Sequence, residues 1–226
     1  MAFLQSQPPR EPFLHAPAVV LWLIAAFVVI HVATVMAPGV FTDEVLVRYA
    51  FVPARYTRGA DAFGLTVPLV SHMFLHGSFF HLAVNCLWFL AFGPIVARRY
   101  GTALFLAFFF ACGIAGALTY LGFNWGSPEP VIGASGGISG LMAAGIRLLR
   151  WPNVHPWHGL APILSRPVLM FSGFWLATNL VLGFTGVGSG GDIQQVAWQA
   201  HLGGFVAGLF LINAAELLHV RGLRRA

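Results

Sequence analysis

Six long apolar stretches, joined by short polar or glycine- and proline-bearing connections, constrain this chain more than any other feature. They run from about Pro17 to Met36, Phe79 to Val96, Thr102 to Leu121, Ser135 to Leu149, Pro167 to Phe184 and Val196 to Leu218. Most approach the ~20 residues that a helix needs to cross a bilayer. They are apolar all round rather than alternating. Helices are therefore expected and barrel strands are not, because a lipid-exposed segment must satisfy its own backbone. Charged residues make up only 8% of the chain, against roughly 25% in a soluble domain. That excludes an ordinary cytosolic enzyme, and a hydrophobic content of 58% excludes a disordered tail. The expected fold is all-α and polytopic, a bundle of six transmembrane helices. One membrane domain is expected over 17–220, between a short cytoplasmic N-terminal segment (1–16) and a basic tail (221–226).

The net charge of +5 comes with no lysine at all. The arginines are scattered between apolar stretches, which suits membrane topology and not a nucleic-acid face. With a cytoplasmic N-terminus, Arg10, Arg98, Arg99, Arg147, Arg150, Arg166, Arg221, Arg224 and Arg225 lie inside. Arg48, Arg55 and Arg58 lie outside. This distribution obeys the positive-inside rule, and the reverse orientation violates it. The first apolar run reads as a retained signal-anchor. Cys86 and Cys112 both sit in apolar runs and read as free thiols.

Two outer connections stand out. The stretch from Gly39 to Ser78 is too long for a bare loop and should hold short interfacial helices, one of them starting around Thr42, Asp43 and Glu44. The stretch from Phe123 to Gly133 contains Gly126, Pro128 and Pro130 and reads as irregular.

Polar residues inside apolar spans are costly, and by default they are functional candidates. Three clusters qualify. His81 and Asn85 are four apart and share a helix face in the second segment. They suit either a helix-packing pair or two donors aimed at one point. Gly133-Ala134-Ser135-Gly136 opens the fourth segment, where a loop turns into a helix. Free amides and the helix dipole there favour a developing anion, so Ser135 is a good position for a nucleophile. Ser139, one turn deeper, competes with it, but its amide bonds within the helix. His201 stands near the start of the sixth segment, followed by Gly204 and Gly208. Such glycines let a neighbouring helix approach closely, as a histidine base reaching a serine requires. With the topology above, His81, Asn85, Ser135 and His201 fall within ~10 Å of one depth near the outer face. Water can reach that level.

These motifs together resemble the rhomboid intramembrane serine proteases: HxxxN at His81 and Asn85, GASG at Gly133 to Gly136, and AHxxG from Ala200 to Gly204. The run from Ser71 to Gly77 also resembles the family's approach to its second span. The resemblance implies a six-helix fold and a serine–histidine dyad without an acidic third member. Ser135 is then the nucleophile and His201 the general base. His81, Asn85 and the Ser135 amide form the oxyanion hole. No metal or cofactor is implied. The implied partners are transmembrane protein substrates within the lipid bilayer, and the implied location is a bacterial inner membrane. The fifth helix and its outer loop, with Gly186, Gly188, Gly190 and Gly191, are the implied movable element. Asp192 lies in that loop, upstream of His201, and is not expected to complete a triad.

Two positions depart from the family pattern. Ala54-Arg55-Tyr56-Thr57-Arg58 stands where many members carry a Trp-Arg pair, and Ala97, not an acid, precedes Arg98 and Arg99. Both bear on loop anchoring and folding rather than chemistry. Competing readings are a catalytically silent relative that binds membrane clients, a small transporter and a metal hydrolase. The first would be marked by loss of Ser135 or His201, and both are present. The second usually shows inverted repeats and a midplane site. The third needs another ligand beside His81 and His201. His155 and His158 read as cytoplasmic-loop residues.

Overall fold

The computed structural model describes residues 16–37, 39–152, 159–185 and 197–223. Arg10, His155, His158, the glycines from Gly186 to Gly191, Asp192, Arg224 and Arg225 lie outside the described residues. The chain is built from helices: α1 (Ala18–Met36), α2 (Gly39–Tyr49), α3 (Ala54–Arg58), α4 (Ala62–Thr66), α5 (Pro68–Ser71), a 3-10 turn (His72–Phe74), α6 (Phe79–Phe123), α7 (Ser135–Leu148), α8 (Arg166–Thr185) and α9 (Trp198–Leu223). One antiparallel bridge pairs Phe51 with Val131. This is the expected all-α polytopic membrane fold.

Each of the six apolar segments is helical over its described core, and two boundaries differ most from those expected. The second helix does not stop at Val96 but continues through the arginine pair. It breaks only at Gly101, whose φ of 75° and ψ of 174° turn the chain between the two arms of α6. The last helix extends to Leu223, well past Leu218. Among the described residues, four helices are long and apolar enough to cross a membrane: α1, α6, α8 and α9. Helix α7 differs from them. Its 14 residues span about 21 Å at 1.5 Å per residue, less than the ~30 Å hydrocarbon core. It is instead buried along nearly its whole length, packed between α6 and α9. Protein, not lipid, surrounds the helix that starts at Ser135.

The long connection between α1 and α6 does contain short helices, α2 to α5. The first of them starts earlier than Thr42, at Gly39. Thr42 does not cap it. Its hydroxyl donates back to Thr34 O of α1 (2.9 Å), which ties the two helices together. The absent Trp-Arg pair leaves this loop anchored all the same. The Arg55 guanidinium donates to Val47 O and to Ala50 O (3.2 Å) at the C-terminal end of α2. Those carbonyls lack helical partners, and a cation suits that end of the dipole. Tyr56 Oη adds a bond to Leu65 O at 2.6 Å.

The aromatic core lies between α1 and the two arms of α6, with Phe27, Phe89, Phe105 and Phe109 fully buried. Phe89 meets Phe109 edge-on at 5.1 Å. On the cytoplasmic side of the expected topology, Arg147 of α7 is buried. It donates to Ala161 O (2.9 Å), Leu209 O (2.6 Å) and Asn213 Oδ1 (3.1 Å). One side chain thereby joins α7, the segment after it and α9.

The acid missing before the arginine pair comes from another helix. Glu216 of α9 accepts from the Arg99 guanidinium and from Tyr100 Oη, the latter at 2.8 Å. Arg99 is 41% exposed and Glu216 only 4%. Solvent therefore screens the ion pair more than the tyrosine bond. Replacing Glu216 by alanine is expected to cost about 1–3 kcal/mol, read as a lower thermal midpoint in detergent. An unchanged midpoint would rule out this clasp between α6 and α9.

Candidate active site

The loop entering α7 is held from three directions. Val131 exchanges backbone bonds with Phe51 (Val131 N to Phe51 O, 2.8 Å; Phe51 N to Val131 O, 3.1 Å). Ala54 N donates to Ser127 O at 2.9 Å, and Gly133 N to His72 O at 2.9 Å. The long connection between α1 and α6 thus fixes the turn that presents Ser135. Gly133 adopts φ 112°, a conformation that strains any residue with a Cβ. The first intrahelical bond of α7 runs from Ile138 N to Ala134 O (3.0 Å). The Ala134 cap supplies no side-chain acceptor. The first-turn amides of Ser135, Gly136 and Gly137 form the positive end of the helix dipole.

Helix α9 reaches this point because two backbones touch. A Cβ on Gly204 would collide with the Gly136 carbonyl, and one on Gly208 with the Gly140 carbonyl. Small residues at this i, i+4 spacing permit such an approach. It places His201, one turn before Gly204, with Nε2 at 2.7 Å from Ser135 Oγ. The other ring nitrogen, Nδ1, lies 2.6 Å from Oδ1 of Asn179 on α8.

Helix α6 supplies the facing polar pair. Ser78 caps it by accepting from His81 N (3.2 Å). Asn85 is buried, and its Nδ2 donates back to His81 O at 3.0 Å. A Cβ on Gly133 would lie 2.7 Å from His81 Nε2 and 3.8 Å from Asn85 Nδ2. Both polar tips therefore face the turn two residues before Ser135. His81, Asn85, Ser135 and His201 line one cavity of about 750 Å³. Its lining also includes Met142, Phe171 and Trp175. Ser139 also lines it, but His201 meets Ser135.

The upstream histidines are packed away. His72 is buried with Nδ1 2.7 Å from Pro68 O, and burial pushes its pKa down to about 4. His76 meets the rings of His31 and His81 edge-on. Burial, with help from those two rings, pushes its pKa down to about 3. Both are neutral at pH 7 and serve as packing. Trp175 is buried and stacks on Phe205 of α9 at 4.1 Å, whereas Phe174 is 74% exposed on the outer surface of α8. The cysteines are free thiols, Cys112 buried and Cys86 half-buried.

The sequence-based set does not contain Asn179. The signal was present, an amide side chain in the middle of an apolar segment. Its polar neighbour Thr178 bonds back to Phe174 O in its own helix and no glycine motif stands beside it, so only the fold reveals its partner.

Comparison with known proteins agrees with this arrangement of motifs. The profile described as the Rhomboid domain matches residues 64–215, a region containing all the site residues above. "Rhomboid protease GluP" of Bacillus subtilis (strain 168) is 29% identical over 150 residues, covering 66% of this chain and 26% of that protein. "RHOMBOID-like protein 5" of Arabidopsis thaliana is 28% identical over 143 residues, covering 63% of this chain and 42% of that protein. The match thus spans less than half the length of either relative. With the profile matching well over half of this chain, across the loop, the serine turn and the histidine helix, the protein belongs to the rhomboid family.

Proposed function

We propose that this chain is an intramembrane serine endopeptidase, hydrolysing peptide bonds in or near transmembrane segments of membrane-protein substrates. The observation that carries the reading is the 2.7 Å contact between His201 Nε2 and Ser135 Oγ, at the N-terminus of a protein-enclosed helix. His201 takes the Ser135 proton as Oγ attacks the scissile carbonyl carbon. The carbonyl oxygen becomes an oxyanion facing His81, Asn85 and the first-turn amides of α7. Collapse breaks the C–N bond, and the leaving amine takes the proton from His201. Water, deprotonated by His201, then hydrolyses the acyl-enzyme. A serine with an adjacent base needs no carboxylate to attack at neutral pH.

The site belongs to one membrane protease domain over 17–220. The arginine distribution supports cytoplasmic termini and an outward-facing site, and the likeness to the rhomboid family with its compact six-span form supports a bacterial inner membrane as the setting. Substrate reaches the cavity laterally from lipid, past α8, whose outer surface exposes Leu169, Met170, Phe174 and Phe184. The test is cleavage of a single-span substrate in liposomes, together with fluorophosphonate labelling mapped to the Ser135 peptide. A folded protein that neither cleaves nor labels is instead a silent client-binding relative.

The oxyanion role has its own expected result. Asn85→Ala and His81→Ala should each lower kcat by about 10²–10³-fold. The loss should appear in kcat more than in KM, because the bonds strengthen as charge develops on the oxygen. An effect confined to KM would assign these residues to substrate docking.

A further inference from the structure

We propose that Asn179 is a positioning residue that holds His201 in the tautomer able to accept the Ser135 proton. This rests on the serine–histidine reading above and adds a residue from a third helix. The argument starts from the amide, which has one acceptor end and one donor end. Asn179 Nδ2 donates to Trp175 O, one turn earlier on α8, at 2.8 Å. The opposite assignment would press two carbonyl oxygens together. Oδ1 therefore faces His201, 2.6 Å from Nδ1. An amide oxygen at that distance requires a hydrogen on Nδ1. A neutral imidazole carries only one N–H, so Nε2 presents its lone pair. That lone pair faces Ser135 Oγ at 2.7 Å. The protonation pattern of the dyad thus follows from a backbone carbonyl of α8, read through one asparagine.

The anchor is well held. Trp175 is 7% exposed, and its ring stacks on Phe205, one turn beyond His201 on α9, at an interplanar angle of 15°. The carbonyl that orients Asn179 and the histidine that Asn179 orients therefore belong to one packed contact between α8 and α9. When Ser135 attacks, Nε2 gains a proton while the Nδ1–H bond to Oδ1 persists. A neutral amide adds little charge stabilisation, so the role is orientation. Without an acceptor at Nδ1, the ring is free to carry its hydrogen on Nε2, where it cannot act as a base.

The test compares Asn179→Leu, which keeps volume but removes the acceptor, with Asn179→Asp, which keeps an acceptor in the same place. Both are reconstituted in liposomes and measured by substrate kinetics, fluorophosphonate labelling rate and thermal midpoint. Labelling requires an activated Ser135 but no transmembrane substrate, so it separates activation from docking. Asn179→Leu is expected to lower kcat and labelling rate together by about 10–100-fold, with KM and midpoint as in the parent. Asn179→Asp should recover most of the labelling rate. A leucine variant labelled at the parental rate overturns the proposal. So does a loss confined to KM, or one shared equally by both variants with a lowered midpoint. A parent protein that neither labels nor cleaves overturns the serine–histidine reading and this one together. An active parent with an unimpaired leucine variant overturns only the role of Asn179.

Discussion

Ser135→Ala and His201→Ala are each expected to lower cleavage of a single-span substrate by roughly 10⁴-fold or more. The physical reason is that the two groups act as one unit. A serine hydroxyl is a weak nucleophile until a base removes its proton, and a histidine with no serine to serve leaves no covalent route. Because they share one step, the double variant should be scarcely worse than either single one. That non-additivity is the sharper measurement, since two independent structural lesions would multiply. Fluorophosphonate labelling should vanish in both variants, while thermal midpoints stay near that of the parent. Cleavage that survives Ser135→Ala would move the nucleophile to Ser139, which lines the same cavity.

Gly204→Val should abolish activity nearly as completely, without touching a polar atom. A Cβ at this position collides with the Gly136 carbonyl, and neither partner in that contact is a flexible side chain. The collision is relieved only by moving α9 away from α7. His201 sits on α9 and Ser135 on α7, 2.7 Å apart. A misplacement of about 1 Å costs on the order of 10²-fold in rate, and a branched side chain demands more than that. Overpacking of this kind also costs about 1–3 kcal/mol of stability. Val206→Ala is the matched control, because Val206 is 42% exposed on the same helix. It should leave both cleavage and thermal midpoint unchanged. A Gly204→Val protein that labels at the parental rate would show that close helix contact does not set the dyad geometry.

Much of this molecule is legible in one dimension because lipid imposes a strong local rule. A segment that must hide its own backbone in hydrocarbon becomes a helix and shows itself as a long apolar run. The same rule makes His81, Asn85, Ser135 and His201 conspicuous, since polar groups are costly there. The motif spacing was enough to suggest the family to which the chain belongs. The helix boundaries were less legible. Thr42 looks like a helix start, yet its hydroxyl is used by Thr34 O and the helix begins at Gly39. Arg98 and Arg99 look like a loop, yet α6 runs through them, with Arg99 held by Glu216 from over a hundred residues away. A partner that distant leaves no local trace.

The site divides along the same line. Residue type, position in an apolar run and helical spacing are local properties, and they single out the serine, the histidine and the facing His81–Asn85 pair. Distances between helices are not local. That His201 rather than another group meets Ser135 depends on Gly204 lying against the Gly136 carbonyl. That α7 is enclosed although too short to span depends on α6 and α9 packing around it. Asn179 is the clearest case. In the sequence it is one amide in an apolar helix, with Trp175 O as a local partner; its contact with His201 Nδ1 exists only because Trp175 and Phe205 stack α8 onto α9. Solvation acts on each residue separately and so writes helices into the sequence, whereas hydrogen bonds between helices need both partners placed to within a few tenths of an ångström, which only the packed fold provides.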